Sequence, residues 1–172
     1  MVAVAEPEVE RLVRLLRNQG MERQYANEVV GLNNRMTDIH AAIGRVQLTK
    51  VDAWTRQRQQ NAAFLSEHLL GVPTPTTAPG ARHVYHQYTI RVPEDRDGFA
   101  RALREEHAIG SGAFYPTPTH RLPSFNSAAD LPETERAARE CLSLPVHPSL
   151  EPHHLERIVT AVNALALAGA SA

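Results

Sequence analysis

The stretch that decides the fold is Gly31-Leu32-Asn33-Asn34-Arg35-Met36-Thr37-Asp38-Ile39-His40-Ala41-Ala42-Ile43-Gly44, continued by Val46-Gln47-Leu48-Thr49-Lys50-Val51-Asp52. Met36, Ile39, Ile43 and Val46 fall on one helical stripe, and Leu48, Val51 and Trp54 carry helical packing on toward Ala62, Leu65 and Leu69. Asn33 or Asn34 suits the N-cap of such a helix, because a short amide side chain satisfies a first-turn N–H, and Gly71 suits its end. The spacing predicts one long helix over about 34–70, with a bend near Lys50-Val51-Asp52.

Upstream, residues 2–5 read as a short apolar strand. Pro7 then stands where a first helical turn tolerates proline, and Val9, Leu12, Val13 and Leu16 recur at helical spacing as far as Gly20. Arg11, Arg14 and Arg17 line one helical edge, as a solvated or carboxylate-paired face would. Downstream, the proline-rich segment 72–80 reads as a linker. His83 to Arg91 alternates as a strand, with Val84, His86, Tyr88 and Ile90 on one face. A helix is expected over 95–108, a short strand from Gly110 to Phe114, and a proline-held loop from Tyr115 to Phe125. Helix 131–141, strand 142–145 and a closing helix 151–167 complete a small α/β layer with a short sheet.

Composition narrows the function classes. The chain has 172 residues, 42% of them hydrophobic, which suits a single core. A formal charge of −1 gives no electrostatic footprint for nucleic acid or an anionic membrane. The N-terminal residues lack the pattern of a signal peptide, and no run approaches the ~18 apolar residues of a membrane span. The single cysteine, Cys141, excludes an internal disulfide and a cysteine-based zinc cluster, so cytoplasm is the default compartment.

Five elements occur in order along the chain: Arg14-Leu15-Leu16-Arg17-Asn18-Gln19-Gly20, the G-x-N-x-R helix start at Gly31, His83-Val84-Tyr85-His86-Gln87-Tyr88-Thr89-Ile90-Arg91, Ile109-Gly110 followed by Tyr115-Pro116-x-Pro118-x-His120, and Leu142-Ser143-Leu144-Pro145-Val146-His147-Pro148. Together they resemble the pyridoxal-phosphate (PLP) nucleotide-sugar aminotransferases of the DegT/StrS type, over nearly the whole chain. The resemblance implies the small C-terminal domain of a fold-type I PLP aminotransferase, an α/β layer packed with helices including the long one. It implies a remnant of the PLP-binding large domain at 1–20 and a small domain over 21–172. In that family the lysine that carries the cofactor lies upstream, in a large domain that this sequence does not contain. Its one lysine, Lys50, against seventeen arginines, falls at a family position that is not the catalytic one. No catalytic residue is therefore assigned.

Subunits of the family share active sites, so the resemblance implies that Asn33 hydrogen-bonds the PLP phosphate of a neighbouring subunit and that Arg35 lies close to the phosphate or a substrate anion. The residue types fit: an amide donates without changing charge, and a guanidinium offers a planar fork to phosphate oxygens. The structural alternative is that Asn33 caps the helix and Arg35 pairs with Asp38 or another local carboxylate. His120, with Tyr115, falls where the family holds a loop over the sugar or its diphosphate; the alternative is a surface loop histidine. No metal site is assigned, because His83 and His86 would point to opposite faces of a strand. His153 and His154 suit helix capping and solvent, and Cys141 suits a packed position.

The expected function is that of a C-terminal fragment, inactive alone. The parent reaction would move an amino group from a donor such as glutamate to a keto-sugar nucleotide in polysaccharide, glycan or glycosylated natural-product synthesis. Expected partners are a homodimer mate or a complementing large-domain chain, with a split gene, a misassigned start and a relic as the possible origins. The reading from another class is a non-catalytic interaction module that docks on a full-length relative.

Overall fold

The computed structural model describes residues 2–125 and 127–169, and the chain divides into two compact units, 1–50 and 51–172. Among the described residues no helix is long and apolar enough to cross a membrane.

The first unit holds helix α1 (Pro7–Arg17), strands β1 (Met21–Arg23) and β2 (Ala26–Asn27), and helix α2 (Asp38–Leu48). Proline opens α1, Glu8 and Glu10 occupy its first turn, and Arg14 and Arg17 its last, each sign complementing the helix dipole. The arginine edge is carboxylate-paired: Arg11 reaches Glu22 and Glu28, and Arg14 reaches Glu10. β1 and β2 pair antiparallel in a tight hairpin that sequence periodicity did not indicate, because two- and three-residue strands are too short to show alternation. Residues 2–5 are not a strand. A lone apolar run has no ladder to join, and a strand needs a neighbour to satisfy its backbone.

The expected long helix is two. α2 starts at Asp38, four residues later than its sequence suggests, and stops at Leu48; α3 (Val51–His68) begins after Thr49 and Lys50. Neither Asn33 nor Asn34 caps α2. Thr37 does, in extended backbone, its Oγ1 accepting from the His40 N–H at 3.3 Å. The Thr49 hydroxyl donates to the Val46 carbonyl at 2.8 Å, the kind of local side-chain bond that competes with helix continuation. α2 buries no residue of its own, and Met36, Ile39, Ile43 and Val46 stand exposed.

The second unit continues from α3 with strand β3 (Tyr88–Arg91), helix α4 (Arg96–Glu105), a 3-10 turn at Thr119–Arg121, helix α5 (Pro132–Glu140), strand β4 (Cys141–Leu144) and helix α6 (Pro152–Gly169). β3 and β4 pair antiparallel, with Tyr88 opposite Leu144 and Ile90 opposite Leu142. The alternation expected for His83–Arg91 holds in parity, since Tyr88 and Ile90 are buried, but only the last four residues are strand. The expected strand from Gly110 reduces to one bridge, Gly112 with Ser143. Linker 72–80 contains no helix or strand.

The core lies wholly in this unit. Ala62 and Leu65 of α3, Leu103 of α4, and Ile158, Ala161 and Val162 of α6 close on the buried faces of β3 and β4. Tyr88 is fully buried, yet its hydroxyl meets the Ser66 hydroxyl at 2.9 Å, and burial pushes its phenol above the usual value. Arg96 is buried at the start of α4 and donates to the Ala138 and Cys141 carbonyls at 3.2 and 2.9 Å, tying α4 to the end of α5. Cys141 opens β4, half-buried, as expected of a packed residue.

Candidate functional site

In the first unit the segment carrying Asn33 and Arg35 is laced onto the end of α1. Leu32 N–H donates to Leu16 O at 2.7 Å, Gln19 N–H to Leu32 O at 2.8 Å, and Asn34 N–H to Arg17 O at 2.9 Å. Gly31 belongs to the motif because its backbone lies against Gly20: a Cβ there would meet the Gly20 nitrogen at 2.2 Å. Gly20, at φ +75°, would in turn drive a Cβ to 1.7 Å from the Val29 carbonyl oxygen. Two glycines thus set the backbone from which Asn33 projects.

Asn33 and Arg35 are brought together. Arg35 Nε donates to Asn33 Oδ1 at 2.8 Å, which occupies the amide's acceptor side and leaves its NH2 group turned to donation. Both side chains are exposed, and among the described residues no ion pair joins Arg35 to Asp38 or to any other carboxylate. The local alternative, a cap and a carboxylate pair, is therefore not what the chain adopts. The result is a guanidinium edge and an amide NH2, side by side, just ahead of the α2 N-terminus. That donor set suits the oxygens of a phosphate group, and in this respect the residues present fit PLP. Beside it the same unit has an open apolar hollow of about 1030 Å³, walled by Val4, Val13, Leu16, Val30, Leu32 and Met36.

In the second unit the loop after Gly112 presents Phe114 and Tyr115 outward; Tyr115 is 78% exposed. His120 behaves differently. Its side chain is only 8% exposed, so it is not a surface loop histidine, and Nε2 lies 3.2 Å from Glu135 Oε1 on α5. Arg121 Nε and Nη2 donate to the same oxygen at 2.9 and 2.6 Å. First the Arg121 hydrogen bonds and then that of His120 hold the Glu135 carboxyl below the usual carboxylate range. Among the described residues no hydrogen bond or ring contact joins Tyr115 to His120. Glu135 is the residue that sequence reasoning missed. It lies fourteen and fifteen positions from its partners, beyond the reach of any local pattern.

The remaining candidates take structural places. His154 Nδ1 accepts from the Glu151 N–H at 3.1 Å at the start of α6, a capping role. His83 Nδ1 accepts from the Tyr85 N–H at 2.8 Å. Lys50 is not within a long helix as expected but at the junction of α2 and α3.

Comparison with known proteins places this geometry in context. At 38% identity the chain matches a pleiotropic regulatory protein of Geobacillus stearothermophilus, over 92% of this chain and 45% of the relative. It is 36% identical to a UDP-N-acetyl-3-dehydro-alpha-D-glucosamine 3-aminotransferase of Acidithiobacillus ferrooxidans, over 94% and 44% of the two chains. The crystal structure of S. venezuelae DesV superposes with a TM-score of 0.86 at 34% identity, covering 94% of this chain and 45% of that one. The chain thus spans a little under half the length of the relatives it matches. The DegT/DnrJ/EryC1/StrS aminotransferase family profile matches residues 1–163, and with that the ordered motifs, the fold and the relatives agree: the chain belongs to the DegT/DnrJ/EryC1/StrS aminotransferase family.

Proposed function

We propose that this chain is the C-terminal portion of a PLP-dependent aminotransferase that acts on keto-sugar nucleotides, and that it works in the cytoplasm with a large-domain segment carrying the catalytic lysine. The observation that carries this is the Asn33–Arg35 pair, a guanidinium that no carboxylate among the described residues pairs, braced against an oriented amide on a glycine-set backbone. Residues 1–20 are read as the end of the large domain, and the apolar hollow with the exposed α2 stripe as surfaces that the rest of the enzyme, or a second subunit, covers.

The chemistry that PLP supplies when bound is an electron sink for moving an amino group between donor and keto-sugar. In this chain, Asn33 donates its amide N–H and Arg35 its guanidinium N–H groups to phosphate oxygens, fixing position without a proton transfer. Tyr115 offers an exposed aromatic face and hydroxyl to the sugar nucleotide, and His120 supports that loop from below. Glutamate is the proposed amino donor.

Two measurements test the reading. Exposing the chain alone to PLP and borohydride should leave Lys50 without a stoichiometric adduct, whereas an adduct there that supports transamination defeats the proposal. Co-expression with a family large domain should restore PLP retention and transamination of a keto-sugar nucleotide. The second reading, a non-catalytic module, is favoured by the same apolar hollow. It prevails if the chain docks on a full-length relative and no complementing large domain restores activity.

A further inference from the structure

The 115–125 loop, proposed above to face substrate, lies between helices α4 and α5 and needs a support for its shape. The loop has three prolines and one short 3-10 turn, and the aromatic pair at its entrance, Phe114 and Tyr115, is exposed. Its internal bonds are few: Arg121 N–H to Pro118 O, Leu122 N–H to Thr119 O, and Phe125 N–H to Leu122 O. Against this stands one dense point. A single oxygen of Glu135 receives two N–H groups of Arg121 and meets the ring of His120, which is the only buried side chain of the turn.

Glu135 itself stands on a firm base. It lies in α5, whose last turn is fastened by the buried Arg96 guanidinium through the Ala138 and Cys141 carbonyls, and Cys141 begins the strand paired with β3. The connection runs from the core sheet through Arg96 and α5 to Glu135, and from there to the turn. On the far side the His120 carbonyl accepts from the Ser127 N–H at 2.9 Å, which holds the turn from its other end. Charge-assisted bonds converging on one carboxylate fix geometry more firmly than neutral loop bonds do.

We propose that Glu135 is a positioning residue: through His120 and Arg121 it sets the conformation of the 115–125 loop and so the placement of Tyr115 toward the sugar nucleotide. His120 thereby acts within the loop's support and not as a direct substrate ligand. This rests on the reading of the loop as substrate-facing, and the measurements below separate the two.

The first measurement uses the full chain without cofactor. Histidines are modified with diethyl pyrocarbonate, and the rate at His120 is read by peptide mapping against exposed His147. Glu135→Ala should speed His120 modification at least tenfold, the scale set by losing a hydrogen bond to a charged group. Glu135→Gln, which keeps a carbonyl oxygen for the same donors, should stay within a few-fold of the wild type. If Glu135→Ala unfolds the chain, so that every histidine reacts alike, Arg121→Ala is the second variant and should free His120 with the other histidines unchanged. A His120 that stays protected in the folded alanine variants overturns the assignment.

The second measurement uses the complemented enzyme. Glu135→Ala should raise KM for the sugar nucleotide while PLP retention and kcat stay near wild type, and Glu135→Gln should rescue most of that loss. An unchanged KM beside a freed His120 overturns the positioning role. If the wild-type pair shows no transamination, the proposed function fails, and the modification rates on the chain alone still judge whether Glu135 holds the loop.

Discussion

Arg35 is held by an amide, not by a carboxylate, and that choice matters for what the position can bind. A carboxylate partner would neutralise the guanidinium and compete with any incoming anion, whereas Asn33 Oδ1 orients Nε and leaves the charge in place. The same bond makes the two residues one device. Arg35→Ala should weaken PLP retention in the complemented enzyme by about 1.5–3 kcal/mol and Asn33→Ala by about 0.5–1.5 kcal/mol. The double variant should lose less than the sum, because removing either partner already frees the other. Equilibrium dialysis of PLP with the four proteins checks this, and strict additivity would mean that the Arg35–Asn33 bond plays no part in binding. At Glu135 the sign of the pH effect is fixed by its depressed pKa. The ionised carboxylate stabilises the fold above the ordinary carboxylate range, and that contribution is lost as pH falls through a value below that range. Unfolding midpoints of wild type and Glu135→Gln should converge in acid and separate above it, with the wild type the more stable.

At the scale of elements, what sequence made legible is what periodicity and glycine chemistry control. α1, α4, α5 and α6 lie on the helical segments expected at 7–20, 95–108, 131–141 and 151–167, and the parity of β3 follows its alternation. What was not legible depends on tertiary partners. The apolar run at 2–5 has strand composition but no neighbouring strand. Asn33 has the chemistry of a cap, but its side chain is engaged by Arg35, so the cap passes to Thr37. His120 in a proline-rich stretch looks like a loop residue until α5 folds back to bury it. At the site, Asn33 and Arg35 were singled out by the motif they share with the family, but the bond between them was not legible, nor was Glu135. Thr37→Ala tests the reassigned cap: helix content of the 38–48 segment should fall, and stability of the first unit should drop by about 0.5–2 kcal/mol. Hydrogen exchange at the first amides of α2 is the direct probe, and Asn34→Ala should leave it unchanged.

For the molecule as a whole, the two units differ in what each can sustain. The second contains the entire contiguous core, from Ala62 and Leu65 through Leu142 and Leu144 to Ile158 and Val162, with Tyr88 and Asn61 buried and hydrogen-bonded. Among its described residues the first buries one large apolar side chain, Leu15, presents Val4, Leu16, Leu32 and Met36 to solvent around its hollow, and exposes Ile39 and Ile43 on α2. A fragment of residues 51–172 should therefore unfold cooperatively, and Leu65→Ala in it should cost about 2–5 kcal/mol, as deletion of a packed leucine does. A fragment of residues 1–50 should lack a cooperative transition and bind a hydrophobic dye, because one buried leucine cannot offset the conformational entropy of fifty ordered residues. The full chain should inherit both behaviours, with a stable core that self-associates through its exposed apolar face until a large domain covers it. Sizing the chain with and without a co-expressed large domain reads this directly. A full-length chain that runs as a dye-silent monomer would show that the first unit is sufficient on its own, and the hollow would then need no covering partner.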